Sequence, residues 1–241
     1  MIYGIISDVH SNLEAILVVR EELRNRGISK IICLGDIVGY GANPDECCNI
    51  IREVSECVVI GNHDAGSVGL IRLSYFNRDA AHACIWTAKV LSDENRNWLK
   101  GLPFIVENGS NLIVHSTPSS PHDWEYIITL GDAIMEFERR EFELCFVGHS
   151  HYPIIFMLYN GKYSIIRDFK LTLIPGARYI INPGSVGQPR DGDSRASFAI
   201  YDSSNNEIEF VRIPYDIMSA QEKILDAKLP KTLAYRLAIG R

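Results

Sequence analysis

Short apolar runs alternate with helical patterns through the first half of the chain. "IYGII" (2–6) and "KIICL" (30–34) read as strands buried on both faces, because neither alternates with polar positions. Between them Leu13, Ile16, Leu17 and Leu23 recur at helical spacing, and Gly27 suits a helix stop. Pro44 opens a second predicted helix over 44–54, and "CVVI" (57–60) is the next strand. This β-α-β-α-β beginning predicts a parallel sheet with right-handed crossovers. Residues 77–101 are helical in pattern, with Asn77 as a cap. "LIVH" (112–115) and "CFVGH" (145–149) read as two more strands, separated by a helix at 129–140. From 153 to 213 the pattern changes to several strands divided by turn signals at Asn160-Gly161, Pro175-Gly176 and Asn205-Asn206, as in an antiparallel sheet. A helix near 216–228 follows. The expectation is one domain over 1–241, of α+β or α/β type, with two sheets.

Composition narrows the class. At 241 residues the chain can bury roughly 70–75% of its unfolded surface, so it needs no disulfide staples. The six cysteines form no CxxC pair, and Cys33, Cys57 and Cys145 lie in or beside apolar runs, as buried free thiols do. The N-terminus carries no secretory pattern, and no apolar run approaches the ~20 residues of a membrane span. A cytoplasmic, membrane-free protein is expected. The net charge of −6 argues against a basic nucleic-acid surface, so no stable nucleic-acid partner is expected. It leaves room for a small phosphorylated substrate if positive charge comes from a local source such as a metal.

The endings of the apolar runs carry the chemistry. "YGII" stops at Ser7-Asp8-Val9-His10, "IICL" at Gly35-Asp36, "CVVI" at Gly61-Asn62-His63-Asp64, "LIV" at His115, and "CFV" at Gly148-His149-Ser150-His151. In open α/β sheets ligands bind at the carboxyl ends of strands, so these residues should converge on one rim. Asp8-x-His10 and His149-x-His151 are i, i+2 pairs, which point to one side if the chain is extended. Two carboxylates, one amide and four imidazoles, without cysteine, suit Mn, Fe, Zn, Co or Ni better than Ca. Seven ligands are too many for one ion. If Asp36 bridges, they supply four bonds to each of two. Two divalent ions against two carboxylates leave a net positive charge suited to a bridging hydroxide and an anionic ester.

This ordered series resembles the calcineurin-like metallophosphoesterase superfamily, over residues 5 to about 200. The resemblance implies a four-layer sandwich, two mixed β-sheets flanked by helices. It implies two divalent transition-metal ions, with Mn²⁺ the first choice. One would be held by Asp8, His10, Asp36 and His151, the other by Asp36, Asn62, His115 and His149. His63 would lean toward the leaving-group oxygen, where a protonated imidazole can donate to the departing alkoxide. Asp64, if paired with His63, would raise the pKa that nearby cations depress; the alternative is a turn or helix-cap residue.

Weaker signals surround the series. "GYGANP" (39–44) resembles small prokaryotic-type members, including relatives of diadenosine tetraphosphatases, and Tyr40 would line their pocket; a glycine-rich turn explains it equally. Asn12 would touch a phosphate oxygen, or cap the following helix. Arg190, and less so Arg195, would clamp phosphate through bidentate hydrogen bonds. His122, Trp124 and Tyr126 read as packing a loop onto the core rather than stacking on a base. The expected activity is hydrolysis of a phosphate ester or nucleotide by a metal-activated hydroxide. The alternatives are a diadenosine polyphosphate hydrolase, a non-catalytic metal-binding scaffold, or a nuclease.

Overall fold

The largely apolar strands β1 (Ile2–Ile6) and β2 (Lys30–Cys33) pair in parallel, and β3 (Ser55–Val58) joins β2 in parallel. The computed structural model describes residues 1–241. The crossovers are α1 (Leu13–Asn25) and α2 (Pro44–Val54), the latter opened by its proline at the first turn. Helix α1 buries Ala15, Ile16, Val19 and Leu23, whereas Leu17 faces solvent. "CVVI" leaves the sheet early: after Val58 the chain turns into α3 (Asn62–Ser67).

Residues 77–101 form two helices rather than one. Asn77 caps α4 (Arg78–Val90) as expected, accepting from Ala80 N at 3.0 Å. The chain is then extended at Leu91 and Ser92, and the Ser92 hydroxyl starts α5 (Asp93–Lys100). A hairpin of β4 (Ile105–Asn108) and β5 (Asn111–Val114) follows, of which β4 had no clear signal. Helix α6 (Leu130–Arg139) begins with a Thr129–Asp132 capping box and leads to β6 (Leu144–Phe146).

The strands from 153 onward are β7 (Pro153–Tyr159), β8 (Lys162–Ile166), β9 (Lys170–Thr172), β10 (Arg178–Pro183), β11 (Ala196–Asp202) and β12 (Glu207–Ile213). They do not make a sheet of their own. They split between two six-stranded mixed sheets, ordered β3-β2-β1-β11-β12-β9 and β4-β5-β6-β10-β7-β8. Their mutual pairings are antiparallel, as the turn signals implied, but β10 also runs parallel to β6, and β11 antiparallel to β1. The helices α7 (Ile217–Asp226) and α8 (Lys231–Tyr235) close the chain.

The layers are held by separate apolar seams. Ile5, Leu34, Val59, Ala199 and Phe210 of one sheet meet Ile113, Phe146, Ile155 and Ile181 of the other. Helices α1, α2 and α5 cover the outer face of the first sheet. Helix α6 covers the second. This is the expected four-layer sandwich of two mixed sheets flanked by helices. Its packing brings the C-terminal ends of β1, β2, β5 and β6 to one rim. No helix is long and apolar enough to cross a membrane.

Candidate metal centre and active-site cleft

The rim is built from turns, not from continuing strands. Asp8, His10, Asp36, His149 and His151 all have φ between +50° and +67°. Non-glycine residues rarely adopt this left-handed region, and such strain gathers where surrounding structure over-determines it. The i, i+2 pairs therefore converge through tight turns, which corrects the extended-chain geometry expected of them. Backbone bonds lock these turns together: Asp8 N donates to Gly35 O at 3.0 Å, and His10 N to Asp36 O at 2.9 Å. Asp8 Oδ2 accepts from His149 N at 3.2 Å, tying the two sheets' loops to each other. Close approach excludes side chains here; a Cβ on Gly61 would lie 2.1 Å from Asp36 Oδ1.

Six of the seven candidate ligands gather in two clusters that share Asp36. Asp8, His10, Asp36 and His151 form one buried cluster of ligand atoms, and Asp36, His115 and His149 a second. Asp36 Oδ2 lies 3.6 Å from His10 Nε2 and 3.4 Å from His115 Nε2, while its Oδ1 accepts from His63 N at 2.8 Å. Asn62 starts α3 beside them, and its Oδ1 is buried without a partner.

Each histidine offers one nitrogen to this space and turns the other to a backbone carbonyl. Nδ1 meets Val38 O at 3.3 Å for His10, Leu34 O at 2.7 Å for His115, and Gln188 O at 2.5 Å for His151. His149 uses Nε2, 2.9 Å from Trp124 O, which leaves Nδ1 with the lone pair. A carbonyl accepts only, so each of these nitrogens carries the proton. The Nε2 atoms of His10 and His151 are 3.1 Å apart. Burial holds both imidazoles below their ordinary pKa, so two lone pairs face each other. Asp8 Oδ1, Asn62 Oδ1 and His115 Nε2 are buried and have no hydrogen-bond partner. Unpaired buried oxygens such as those of Asp8 and Asn62 are costly, and a divalent cation is the partner this donor set lacks. The residues present thus fit the two ions the sequence implied.

The charges are set by opposing effects. Burial would raise the Asp8 and Asp36 pKa values, but the neighbouring histidines outweigh it and hold both carboxyls well below the usual range. For His115 burial works downward, yet the Asp36 carboxylate prevails and lifts it to about 9. Burial pushes His149 down to about 3 and His63 to about 4.

His63 sits on α3 facing the centre, its ring 4.2 Å from that of Tyr40 and edge-on to Phe76 at 5.2 Å. Asp64 does not pair with it. The carboxylate accepts from Gly61 N and from Val38 N, each at 3.0 Å, so it caps α3 and fastens the loop after β2. The helix-cap alternative describes this geometry; the expected His63–Asp64 pair is absent. Burial, then the Asp36 charge, raise the Asp64 pKa to about 7.

Around the centre opens a cleft of about 550 Å³, with Asn62, His63 and His149 on its floor. Its walls are aromatic: Tyr40, Tyr75, Phe76, Trp124 and Tyr126. Tyr126 stacks on His149, ring centroids 3.9 Å apart, and is 46% exposed. The 116–126 loop does pack inward, with His122 on Phe104 at 4.0 Å, but it also orients His149 through the Trp124 carbonyl. That contact is made by backbone, so no side-chain signal announced it. Arg190 Nη2 donates to Tyr40 Oη at 3.3 Å and to Gln188 Oε1 at 3.1 Å, and its Nε is buried without a partner. Asn12 is engaged structurally: Oδ1 accepts from Ala15 N at 3.2 Å, and Nδ2 donates to Gly187 O at 2.8 Å. These bonds match its capping alternative and use one of the two N–H donors of the amide. Arg195 pairs with Asp193 and is half exposed.

A two-sheet sandwich thus carries at its rim a buried cluster of Asp and His ligand atoms, held by turns and sharing Asp36, that fits divalent metal. The chain belongs to the calcineurin-like phosphoesterase superfamily, whose domain signature matches residues 1–206. It is 46% identical to the uncharacterized protein MJ0912 of Methanocaldococcus jannaschii, covering 99% of this chain and 98% of that one. The crystal structure of a metallophosphoesterase from Sphaerobacter thermophilus superposes with a TM-score of 0.87 at 41% identity, covering 100% and 99% of the two chains. A candidate diadenosine tetraphosphatase, 16% identical with a TM-score of 0.54 over 88% of this chain and 94% of that one, shares the fold.

Proposed function

We propose that the protein, acting as one domain over 1–241, is a dinuclear metal-dependent phosphoesterase. The observation that carries this reading is the pair of facing lone-pair nitrogens on His10 and His151, next to the unpartnered oxygens of Asp8 and Asn62. Asp8, His10, Asp36 and His151 would hold one ion. Asp36, Asn62, His115 and His149 would hold the other. Mn²⁺ is the first choice, with Fe, Zn, Ni or Co able to use the same donors. When bound, the ions supply an activated water and Lewis-acid stabilisation of charge on the phosphoryl oxygens.

The protein's own residues do the rest. Asp36 sets the spacing of the two halves. The carbonyls of Leu34, Val38, Gln188 and Trp124 fix which imidazole nitrogen is turned, with its lone pair, to the ion sites. His63 donates a hydrogen bond to the leaving oxygen from the cleft floor, and Asp64 holds the helix that presents it. Arg190, free at Nε beside the Tyr40 hydroxyl, binds a non-reacting phosphate oxygen. The substrate is a small phosphorylated compound, and the six unpaired thiols suit a reducing, cytoplasmic setting.

A second reading is favoured by one observation, the aromatic cleft walls. Tyr75 and Tyr126 are exposed enough to stack on a base, which fits a nucleotide such as a diadenosine polyphosphate, cleaved at a pyrophosphate bond. The complete ligand set disfavours the scaffold alternative.

The test is hydrolysis of bis-p-nitrophenyl phosphate and p-nitrophenyl phosphate by metal-stripped protein resupplied with Mn²⁺, followed by dinucleotide polyphosphates. Turnover that requires metal, disappears in Asp36→Ala and falls about 100-fold or more in His63→Ala is expected. Protein that binds no divalent ion would overturn the proposal.

A further inference from the structure

His63 lacks the carboxylate partner that catalytic imidazoles commonly have. Asp64 is committed to Gly61 and Val38, and Gly39 faces the ring with no side chain at all. A Cβ on Gly39 would stand 2.5 Å from His63 Nδ1, so nothing larger than glycine fits there. The ring's other contacts are aromatic: Tyr40, Phe76 and His10. One polar side chain reaches Nδ1. It is Cys84 of α4, whose Sγ lies 3.7 Å away in a fully buried position.

We propose that Cys84 is a positioning residue, whose thiol donates to His63 Nδ1 and thereby keeps the ring proton on Nε2, toward the leaving oxygen. The proposal rests on the leaving-group role given to His63 above. The thiol has a choice of acceptors, since the His63 carbonyl is 3.9 Å away. The imidazole nitrogen is closer, and a lone-pair imidazole is the stronger acceptor. The thiol also stays protonated: burial pushes it up to about 12. A neutral imidazole has one proton for two nitrogens, so whichever nitrogen accepts a bond releases the other as donor. With Cys84 donating to Nδ1, His63 presents an N–H to the cleft without needing a neighbouring negative charge. A carboxylate partner would accept a hydrogen bond from Nδ1–H and stabilise an imidazolium; a thiol donor instead selects a neutral hydrogen-bond donor. Such a donor best serves leaving groups that are already stable as anions, among them phosphates and phenols.

The test compares Cys84→Ser, Cys84→Ala and Cys84→Val with the wild type in two measurements. The first is ¹⁵N NMR of the His63 ring in the Zn²⁺-loaded, diamagnetic protein. Wild type and Cys84→Ser should show a proton on Nε2 and a bare Nδ1, and Cys84→Ala should show a shift toward Nδ1–H. The second is kcat and KM for aryl phosphate esters with graded leaving phenols. In Cys84→Ala and Cys84→Val, kcat should fall about fivefold for the poorest leaving phenols and less for p-nitrophenol, with KM unchanged, as loss of one modest hydrogen bond implies. Cys84→Ser should restore both. A wild-type ring protonated on Nδ1, or Cys84→Ala matching wild type across the whole series, would overturn the proposal. His63→Ala reports on the underlying reading separately. If it hydrolyses the poorest leaving groups as fast as wild type, the leaving-group role fails, and Cys84's catalytic part with it, while the ring spectrum still decides whether the thiol sets the tautomer.

Discussion

The Nε2 atoms of His10 and His151 face each other at 3.1 Å in a buried site, while their Nδ1 atoms donate to the carbonyls of Val38 and Gln188. Such an arrangement is repulsive until a cation stands near both nitrogens. Two ions per chain are expected by elemental analysis after dialysis against excess Mn²⁺. Asp36→Ala should lose both, because its carboxylate belongs to both clusters. His151→Ala and His115→Ala should each lose about one. Chelation should lower Tm, and Mn²⁺ at about 100 times its Kd should raise stability by about 2.7 kcal/mol.

Metal loading should release protons. In the metal-free protein His115 is lifted to about 9, so near neutral pH it carries a proton that ligation must displace. Apparent affinity at the site containing His115 should therefore rise as pH rises toward 9, then level off. The sign for stability follows from the same shift. A folded pKa raised above the ordinary 6.5 means that His115 stabilises the metal-free fold fully below 6.5, and that this contribution is lost as pH rises through 9. Calorimetric titration in buffers of different ionisation enthalpy measures the proton count; a count of zero at pH 7 refutes it.

Asp64→Ala should be a stability variant before it is a catalytic one. It strands two buried backbone N–H groups, those of Gly61 and Val38, at a cost of about 3 kcal/mol in urea unfolding. Had Asp64 served chiefly as the partner of His63, the same substitution would shift the pH–rate profile and leave the unfolding midpoint in place.

Gly39→Ala should fail for a steric reason. Its φ of +91° disfavours any side chain, and the new methyl would sit 2.5 Å from His63 Nδ1. A stability loss of about 1–2 kcal/mol is expected from the backbone alone, and displacement of His63 should reduce kcat further. Equal kcat in Gly39→Ala would show that His63 is free to move without consequence.

Arg190→Gln and Tyr126→Ala should separate phosphate from base recognition. Arg190→Gln should raise KM for any substrate with a second phosphate, by about tenfold if a bidentate contact is lost. Tyr126→Ala should raise KM for dinucleotide polyphosphates and leave p-nitrophenyl phosphate unaffected. Unchanged KM values for every nucleotide would remove the base-stacking reading.

Much of this arrangement was legible from residue order. Asp8, Asp36, Asn62, His115 and His149 each follow an apolar run; parallel pairing within each sheet carries such positions to one end, and the packing of the two sheets joins the two ends into one rim. The turns themselves were not legible, because periodicity speaks of extended or helical chain, and nothing in it marks Asp8 or His151 as left-handed. The role of Trp124 was hidden because a carbonyl, not an indole, does the work. Cys84 lay beyond reach for another reason: its neighbour His63 is 21 residues away, and only the packing of α4 on α3 brings them together. The distribution of β7 to β12 over two sheets is likewise a matter of long-range pairing that local turn signals do not encode.

The shared carboxylate of Asp36 has a thermodynamic consequence. One side chain cannot approach two cations without each occupant altering the charge and orientation that the other meets. In the dinuclear centre proposed above, the two halves would be coupled through Asp36, and the coupling reciprocal: whatever the first ion does to the affinity for the second, the second does in equal measure to the first. A chain carrying a single ion is then a distinct species with its own affinity, not half of a loaded one.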